Sequence, residues 1–277
     1  MNVQEQHKRD YETDGYCIIP NVINRESIDS ILSVINKHWI HLLVNGKIQQ
    51  RKDAPIESIF PRFINSHQSN TEIKNFILNK VFFEIMRAIV GEDVLIVATN
   101  FYFKAPSVTG LPWHQDNTAI GVSPGSSCAM WICLEDSEPE NGGLKFASGS
   151  HKKGLFPPQS SFDNVSEAFS DYGQEVALPE DCKVKYISTR PGDAVIFHGD
   201  VIHGSTDNRT DSKFRRSMII HYMKESSDRV TLNFNHLLNA QGERVRRRLN
   251  AVPKISENQK SIFSFKEANY YEKNGWK

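Results

Sequence analysis

The sequence predicts a mainly-β protein of jelly-roll type with a helical layer ahead of it, and three observations lead there. Two N-terminal stretches carry apolar side chains at a 3.6-residue spacing, and the chain beyond about residue 93 does not. From that point short β-type runs alternate with turn residues, with no helix-length segments between them, which argues for a sandwich or barrel over a doubly wound sheet. The composition is that of a globular chain: 277 residues, 39% hydrophobic and 24% charged. A chain of this size buries about three quarters of its unfolded surface, ample for one large core.

Taken in order, Ile28, Ile31, Leu32, Ile35, Trp39 and Leu42 form one stripe, with Asn24 suited to cap a helix over 24–45 and Gly46 to end it. Residues 51–67 contain proline and look like a loop. A second helix is expected over 71–90, with Ile73, Phe76, Ile77, Val81, Ile85 and Ile89 on one face and Gly91 as its stop. Strands follow at 94–103, 127–135, 143–147, 184–188, 194–204 and 216–223. Pro124-Gly125, Asn141-Gly142-Gly143, Pro191-Gly192-Asp193 and Asp207-Asn208 mark turns between them. The polar segment 154–182 is too long for a hairpin and has the length of a functional cover. The expected organisation is a single domain over 1–277: a helical layer with a first strand (1–92), a β core (93–224) with the 154–182 insertion, and a peripheral C-terminal segment (225–277). RVRRRLN at 244–250 is expected to be helical.

The 33 basic and 33 acidic residues cancel, so no net field steers nucleic acid or anionic membrane. No apolar run approaches the ~20 residues of a spanning helix. The polar N-terminus lacks a signal-peptide core, and EKNGWK carries no retention, peroxisomal or prenylation signal. Four cysteines without a CxxC pattern fit reduced thiols, hence a cytoplasmic setting.

The chemistry gathers at WHQD (113–116) and VIHGS (201–205). His114 and Asp116 are two apart and would share a face on a strand. With His203 from another strand they would put two imidazoles and a carboxylate on one side of a metal, the facial set of non-haem iron(II) oxygenases. Ten His and fifteen Asp give about 0.5 His-x-Asp pairs by chance, so one pair is weak support. There are two. The rival pair, His198 and Asp200, has the wrong parity relative to His203 for all three to aim at one point from a regular strand.

The flanking segments resemble the phytanoyl-CoA dioxygenase family, iron(II)/2-oxoglutarate dioxygenases with a double-stranded β-helix (jelly-roll, cupin-like) core. DYETDGYCIIPNVINRESI (10–28) resembles the family's opening, and LPWHQD its first iron motif. ENGGLKFASGSHKKG (140–154) resembles the segment that follows. RPGDAVIFHGDVIHGSTDNRTDSKFRRSMIIHY (190–222) resembles the second iron motif and the arginine beyond it.

The resemblance implies iron ligands at His114, Asp116 and His203, with 2-oxoglutarate and dioxygen as co-substrates. It implies an anchor for the distal carboxylate of 2-oxoglutarate at Arg215, whose planar guanidinium suits bidentate binding. The family's interval is about one residue shorter, which keeps Arg216 as the alternative. Ser205 would share the face of His203 and bond the same carboxylate, and Trp131 would pack beside the co-substrate. Lys104 and Asn100 fall where the family places polar groups facing the pocket. Related halogenases replace the carboxylate ligand by a small residue, so Asp116 favours hydroxylation. The expected substrate is a small molecule, walled by 51–67, 154–182, Asn117, Thr118 and 225–250, where Arg244, Arg246, Arg247 and Arg248 could meet an anion. A cupin-type enzyme without Arg215's function, or a catalytically silent ligand-binding relative, are the alternatives.

Overall fold

The structure, a computed structural model, describes residues 3–156 and 175–250. Helix α1 (Glu5–Asp14) ends at Gly15, whose φ of 86° closes the helix through a bond from its N–H to the Tyr11 carbonyl. Strand β1 (Tyr16–Ile19) leads to α2 (Arg25–Val44), where the Asn24 side chain accepts the Ser27 N–H at 2.9 Å. The expected loop at 51–67 contains a short helix α3 (Pro55–Ile59) and a two-residue strand β2 (Phe63–Ile64).

The single helix expected over 71–90 is two, α4 (Thr71–Ile77) and α5 (Lys80–Val90). Asn79 makes the break: its side chain accepts the Val81 N–H at 3.0 Å, which starts a new helix instead of continuing the old one. Both helices pack into the same core, α4 through Ile73 and Ile77 and α5 through Phe82, Ile85, Met86 and Ile89.

Beyond them come β3 (Val94–Tyr102), α6 (Asp116–Ile120), β4 (Ser127–Cys133), β5 (Leu144–Ser148), β6 (Lys183–Tyr186) and β7 (Ala194–His198). After these follow β8 (His203–Ser205), β9 (Ser217–Lys224), β10 (Arg229–Thr231), β11 (Leu237–Leu238), β12 (Arg244–Val245) and β13 (Arg248–Asn250). The large sheet has the order β1-β7-β4-β9-β3-β11-β12, with β2 also on β3, and all its pairs are antiparallel. A smaller antiparallel sheet, β6-β5-β8, makes the second face of the jelly roll.

The apolar run SCAMWIC is explained by its position between two layers. Cys128, Met130 and Ile132 pack with helical residues such as Ile35, Ile77 and Phe82 on one face. Ala129, Trp131 and Cys133 pack with Phe146 and Leu144 of the small sheet on the other. A strand covered on both sides has no polar alternation.

Two further expectations change. The run 194–204 is two strands in different sheets, separated by a turn at Gly199–Ile202. RVRRRLN is not helical: β12 lies on β11, and β13 pairs in parallel with β10. Arg247 turns its guanidinium onto the Ser227 and Glu225 carbonyls, at 2.8 Å each, which ties this run to a neighbouring loop. Within the insertion only 154–156 and 175–182 are described, and most of the segment lies outside the described residues. All four cysteines are unpaired.

Candidate metal centre

His114 and His203 face each other across an isolated antiparallel bridge, exchanging N–H to carbonyl bonds at 2.9 and 3.0 Å. Their rings lie 4.3 Å apart between centroids. Asp116 is not on a strand as expected; it is the first residue of α6. The intervening Gln115 explains how parity survives the change. Its amide donates to the Asp200 and Gly154 carbonyls at 2.6 and 2.8 Å and accepts the Phe156 N–H at 2.7 Å. With Gln115 pinned into the protein, its two neighbours both face the cavity.

The donor atoms of His114, Asp116 and His203 all lie within 4.8 Å of one another. Asp116 Oδ1 is 3.7 Å from the Nε2 atom of each histidine. His114 Nδ1 donates to the Pro112 carbonyl at 2.8 Å, and His203 Nδ1 donates to the Val201 carbonyl at 3.0 Å. These carbonyls select the tautomer that leaves both Nε2 lone pairs facing Asp116, as metal ligation requires. Burial, followed by the nearby His114, pushes His203 down to about 4, so its imidazole is neutral and able to ligate. Burial opposes the charge on Asp116, but His221, His203 and His114 outweigh it and hold the carboxyl well below the usual range. Two imidazoles and one carboxylate, all from one side, fit an octahedral metal with three positions left for other ligands.

Arg215 is 3% exposed, and among the described residues no carboxylate pairs with it. Its Nε donates to the Gly142 carbonyl at 3.0 Å and its Nη1 to Ser217 Oγ at 2.7 Å. The guanidinium lies 5.4 Å over the Trp131 ring. Burial lowers it to about 10, which leaves it charged at neutral pH. Arg216 points the other way and pairs with Glu135. A buried cation without an anion is the expected partner of a ligand carboxylate.

The other candidate residues line the same cavity, of about 910 Å³. Ser205 is buried, and its Oγ accepts the Leu111 N–H at 2.9 Å. Lys104 donates to the Thr109 carbonyl, and burial, then Arg215, pushes it down to about 7. Asn100 lies half-buried on β3, and Trp131 is fully buried on β4. The rings of Phe197 and Phe146 flank His203 at 4.6 and 5.8 Å and close off its far side.

The rival pair is occupied elsewhere. Asp200 accepts the Asn117 amide at 2.7 Å and the Gly125 N–H at 2.9 Å, while its own N–H donates to His198 Nδ1 at 3.1 Å. Neither His198 nor Asp200 lines the cavity. Asn117 therefore serves Asp200 and not the cavity, whereas Thr118 does line it. Of the expected walls, 51–67 contributes Glu57, Phe60 and Arg62, and 225–250 contributes Thr231 to Phe234. Arg246, Arg247 and Arg248 border a separate surface depression and do not reach the cavity.

One residue beside the triad is not signalled by either iron-type motif in the sequence. His221 on β9 places Nδ1 3.3 Å from Asp116 Oδ2. Parity is a partial signal, since Arg215, Ser217, Ile219 and His221 share one face of RRSMIIHYM, but it does not place His221 beside Asp116.

The family model described as phytanoyl-CoA dioxygenase (PhyH) matches residues 11–217. A phytanoyl-CoA dioxygenase of Arabidopsis thaliana is 29% identical over 182 residues, covering 65% of this chain and 61% of that protein. The chain thus spans less than two thirds of that relative's length. An ectoine dioxygenase of Stutzerimonas stutzeri (strain A1501) is 27% identical over 222 residues, 73% of this chain and 71% of the relative. Among solved structures, the epimerase SnoN in complex with Fe3+, alpha ketoglutarate and nogalamycin RO superposes with a TM-score of 0.65 at 17% identity, covering 91% of this chain and 96% of the other.

Proposed function

The chain belongs to the phytanoyl-CoA dioxygenase family, and on that premise we propose that it hydroxylates a C–H bond of a small metabolite or biosynthetic intermediate. Iron(II) and 2-oxoglutarate are the cofactors that membership carries, and the chain's donor set suits both. His114 Nε2, Asp116 and His203 Nε2 would hold the metal. Arg215, with Ser205 and Lys104 beside it, would hold the distal carboxylate of 2-oxoglutarate, with Trp131 and Asn100 completing its walls. Bound together with dioxygen, these cofactors supply the oxidising power that converts C–H to C–OH, releasing succinate and carbon dioxide.

The chain's own share is binding, orientation and exclusion of water. The Pro112 and Val201 carbonyls fix the imidazole tautomers. Arg215, already bonded to Gly142 and Ser217, is pre-organised, so little rotamer freedom is lost when a carboxylate arrives. The phenyl rings around His203 keep that side dry, which strengthens each electrostatic contact inside. Asp116 occupies the position that a halide would need, which favours hydroxylation over halogenation. The cavity is larger than a five-carbon diacid fills, which leaves room for a substrate against Phe60, Tyr102 and Phe234. Among the described residues no helix is long and apolar enough to cross a membrane; a cytoplasmic site of action is part of the proposal.

The observation that carries this reading is the convergence of the triad and the unpaired Arg215 on one cavity. The test measures succinate formed from 2-oxoglutarate with iron(II) and air, alongside 2-oxoglutarate binding without oxygen. Arg215→Ala should weaken 2-oxoglutarate by about 10- to 100-fold, the worth of one or two charge-assisted hydrogen bonds, and leave metal affinity unchanged. Equal loss of metal and 2-oxoglutarate would remove Arg215 from its role. Product analysis over a metabolite panel then distinguishes hydroxylation from epimerisation or ring closure.

A further inference from the structure

The geometry points to His221 as the positioning residue that makes Asp116 a one-oxygen metal ligand. The two carboxylate oxygens of Asp116 have different surroundings. Oδ1 lies 3.7 Å from the Nε2 atoms of His114 and His203, where a metal would sit. Oδ2 lies 3.3 Å from His221 Nδ1. Both Oδ2 and Nδ1 are enclosed, and among the described residues neither completes a hydrogen bond, their 3.3 Å approach being the nearest either comes to one. Two buried polar atoms with only each other in reach are costly unless they pair. Pairing requires the proton on Nδ1, so that a small turn of either side chain lets His221 donate to Oδ2.

The backbone is arranged to deliver this ring. His221 pairs with Ala129 on one side and Ala98 on the other, two small neighbours that leave room for an imidazole lying toward α6. The register of β3 on β9 shifts between Ile96 and Ala98, at the position opposite His221. A bulge there places Ala98 on the cavity side with His221 and re-aims the strand. The odd-numbered face of β9 then carries Ser217, which accepts from Arg215 just ahead of the strand, and His221, so one short stretch of chain links the proposed co-substrate anchor to the support of Asp116.

With Oδ2 so held, the carboxylate plane would be fixed and Oδ1 alone would be offered to a metal. Without His221 the carboxylate could rotate or bind through both oxygens, which would occupy a position needed for a co-substrate. This inference rests on the proposed metal site, so its test includes a control for that site.

The experiment titrates cobalt(II) and manganese(II) into the full chain without oxygen or 2-oxoglutarate, recording affinity and the visible spectrum of the cobalt form. His221→Leu should weaken the metal by about 10- to 100-fold and alter the cobalt spectrum, the size expected for loss of a ligand's supporting bond. His221→Asn, whose amide N–H can replace Nδ1–H, should restore affinity and spectrum to near those of the unmodified protein. Circular dichroism and melting temperature establish that both variants fold. If both folded variants bind cobalt like the unmodified protein, with an unchanged spectrum, the positioning role is wrong. The same holds if the Asn variant is no better than Leu. His114→Ala is titrated in parallel. If it keeps the metal, the site reading itself fails; if it loses the metal while His221→Leu does not, only the present inference fails.

Discussion

Asp116 and Asp200 are both buried acids two residues after a histidine, and their surroundings separate their work. Asp116 keeps an oxygen facing two imidazole lone pairs, whereas both oxygens of Asp200 are taken by Asn117 and Gly125. Asp200→Ala should therefore leave metal binding intact and lower stability by about 2–4 kcal/mol, because two buried donors lose their acceptor. Chemical denaturation with a parallel metal titration checks it, and loss of metal without loss of stability would reverse the assignment. The parity that disfavours the second pair in the sequence assumes one regular strand over 198–203; a turn divides that run, and what occupies Asp200 is its bonds to Asn117 and Gly125. Parity was not enough to find His221, whose partner lies more than a hundred residues away and whose role depends on a bulge in a neighbouring strand.

At the scale of elements, β9 and the turn at Gly142 together build the anchor for the co-substrate. Gly142 has φ of 96°, and its carbonyl accepts from Arg215 Nε. A Cβ at this position would lie 2.7 Å from Cγ and Cε of Lys104. Gly142→Ala thus strains the turn and displaces Lys104, with about 1 kcal/mol or more of destabilisation. The KM for 2-oxoglutarate should rise several-fold while metal affinity holds; calorimetric titration of each ligand reads the split, and an unchanged KM would detach Lys104 from the pocket. The strands that surround this turn were legible because their apolar runs are short and bounded by Gly, Pro and Asn. What could not be read was decided by tertiary context. Asn79 splits a helix whose apolar stripe continues past it, and the arginine run near 246 is extended because backbone carbonyls bind Arg247.

Across the whole molecule, helices cover one face of the large sheet and the small sheet covers the other, so several histidines are shut away from water. Burial pushes His67, His151 and His198 down to about 4, and His203 likewise. Unfolded, each would take up its proton near 6.5. Between those values the unfolded chain binds more protons, so stability is complete above about 6.5 and declines as pH falls toward 4. Asp200, raised by burial, opposes this as a single group. The melting temperature of the metal-free protein should drop between pH 7 and pH 5, and a flat or rising profile would contradict the burial of these rings. The central claim is that His114 and Asp116 meet the distant His203 around one metal, beside an arginine that receives 2-oxoglutarate. An oxygen-free crystal structure with manganese(II) and 2-oxoglutarate tests it most directly, through the anomalous signal of the metal. The account predicts a single strong peak within bonding distance of His114 Nε2, Asp116 Oδ1 and His203 Nε2, with the co-substrate reaching Arg215. A peak between His198 and Asp200, or a co-substrate carboxylate that leaves Arg215 untouched, would contradict it.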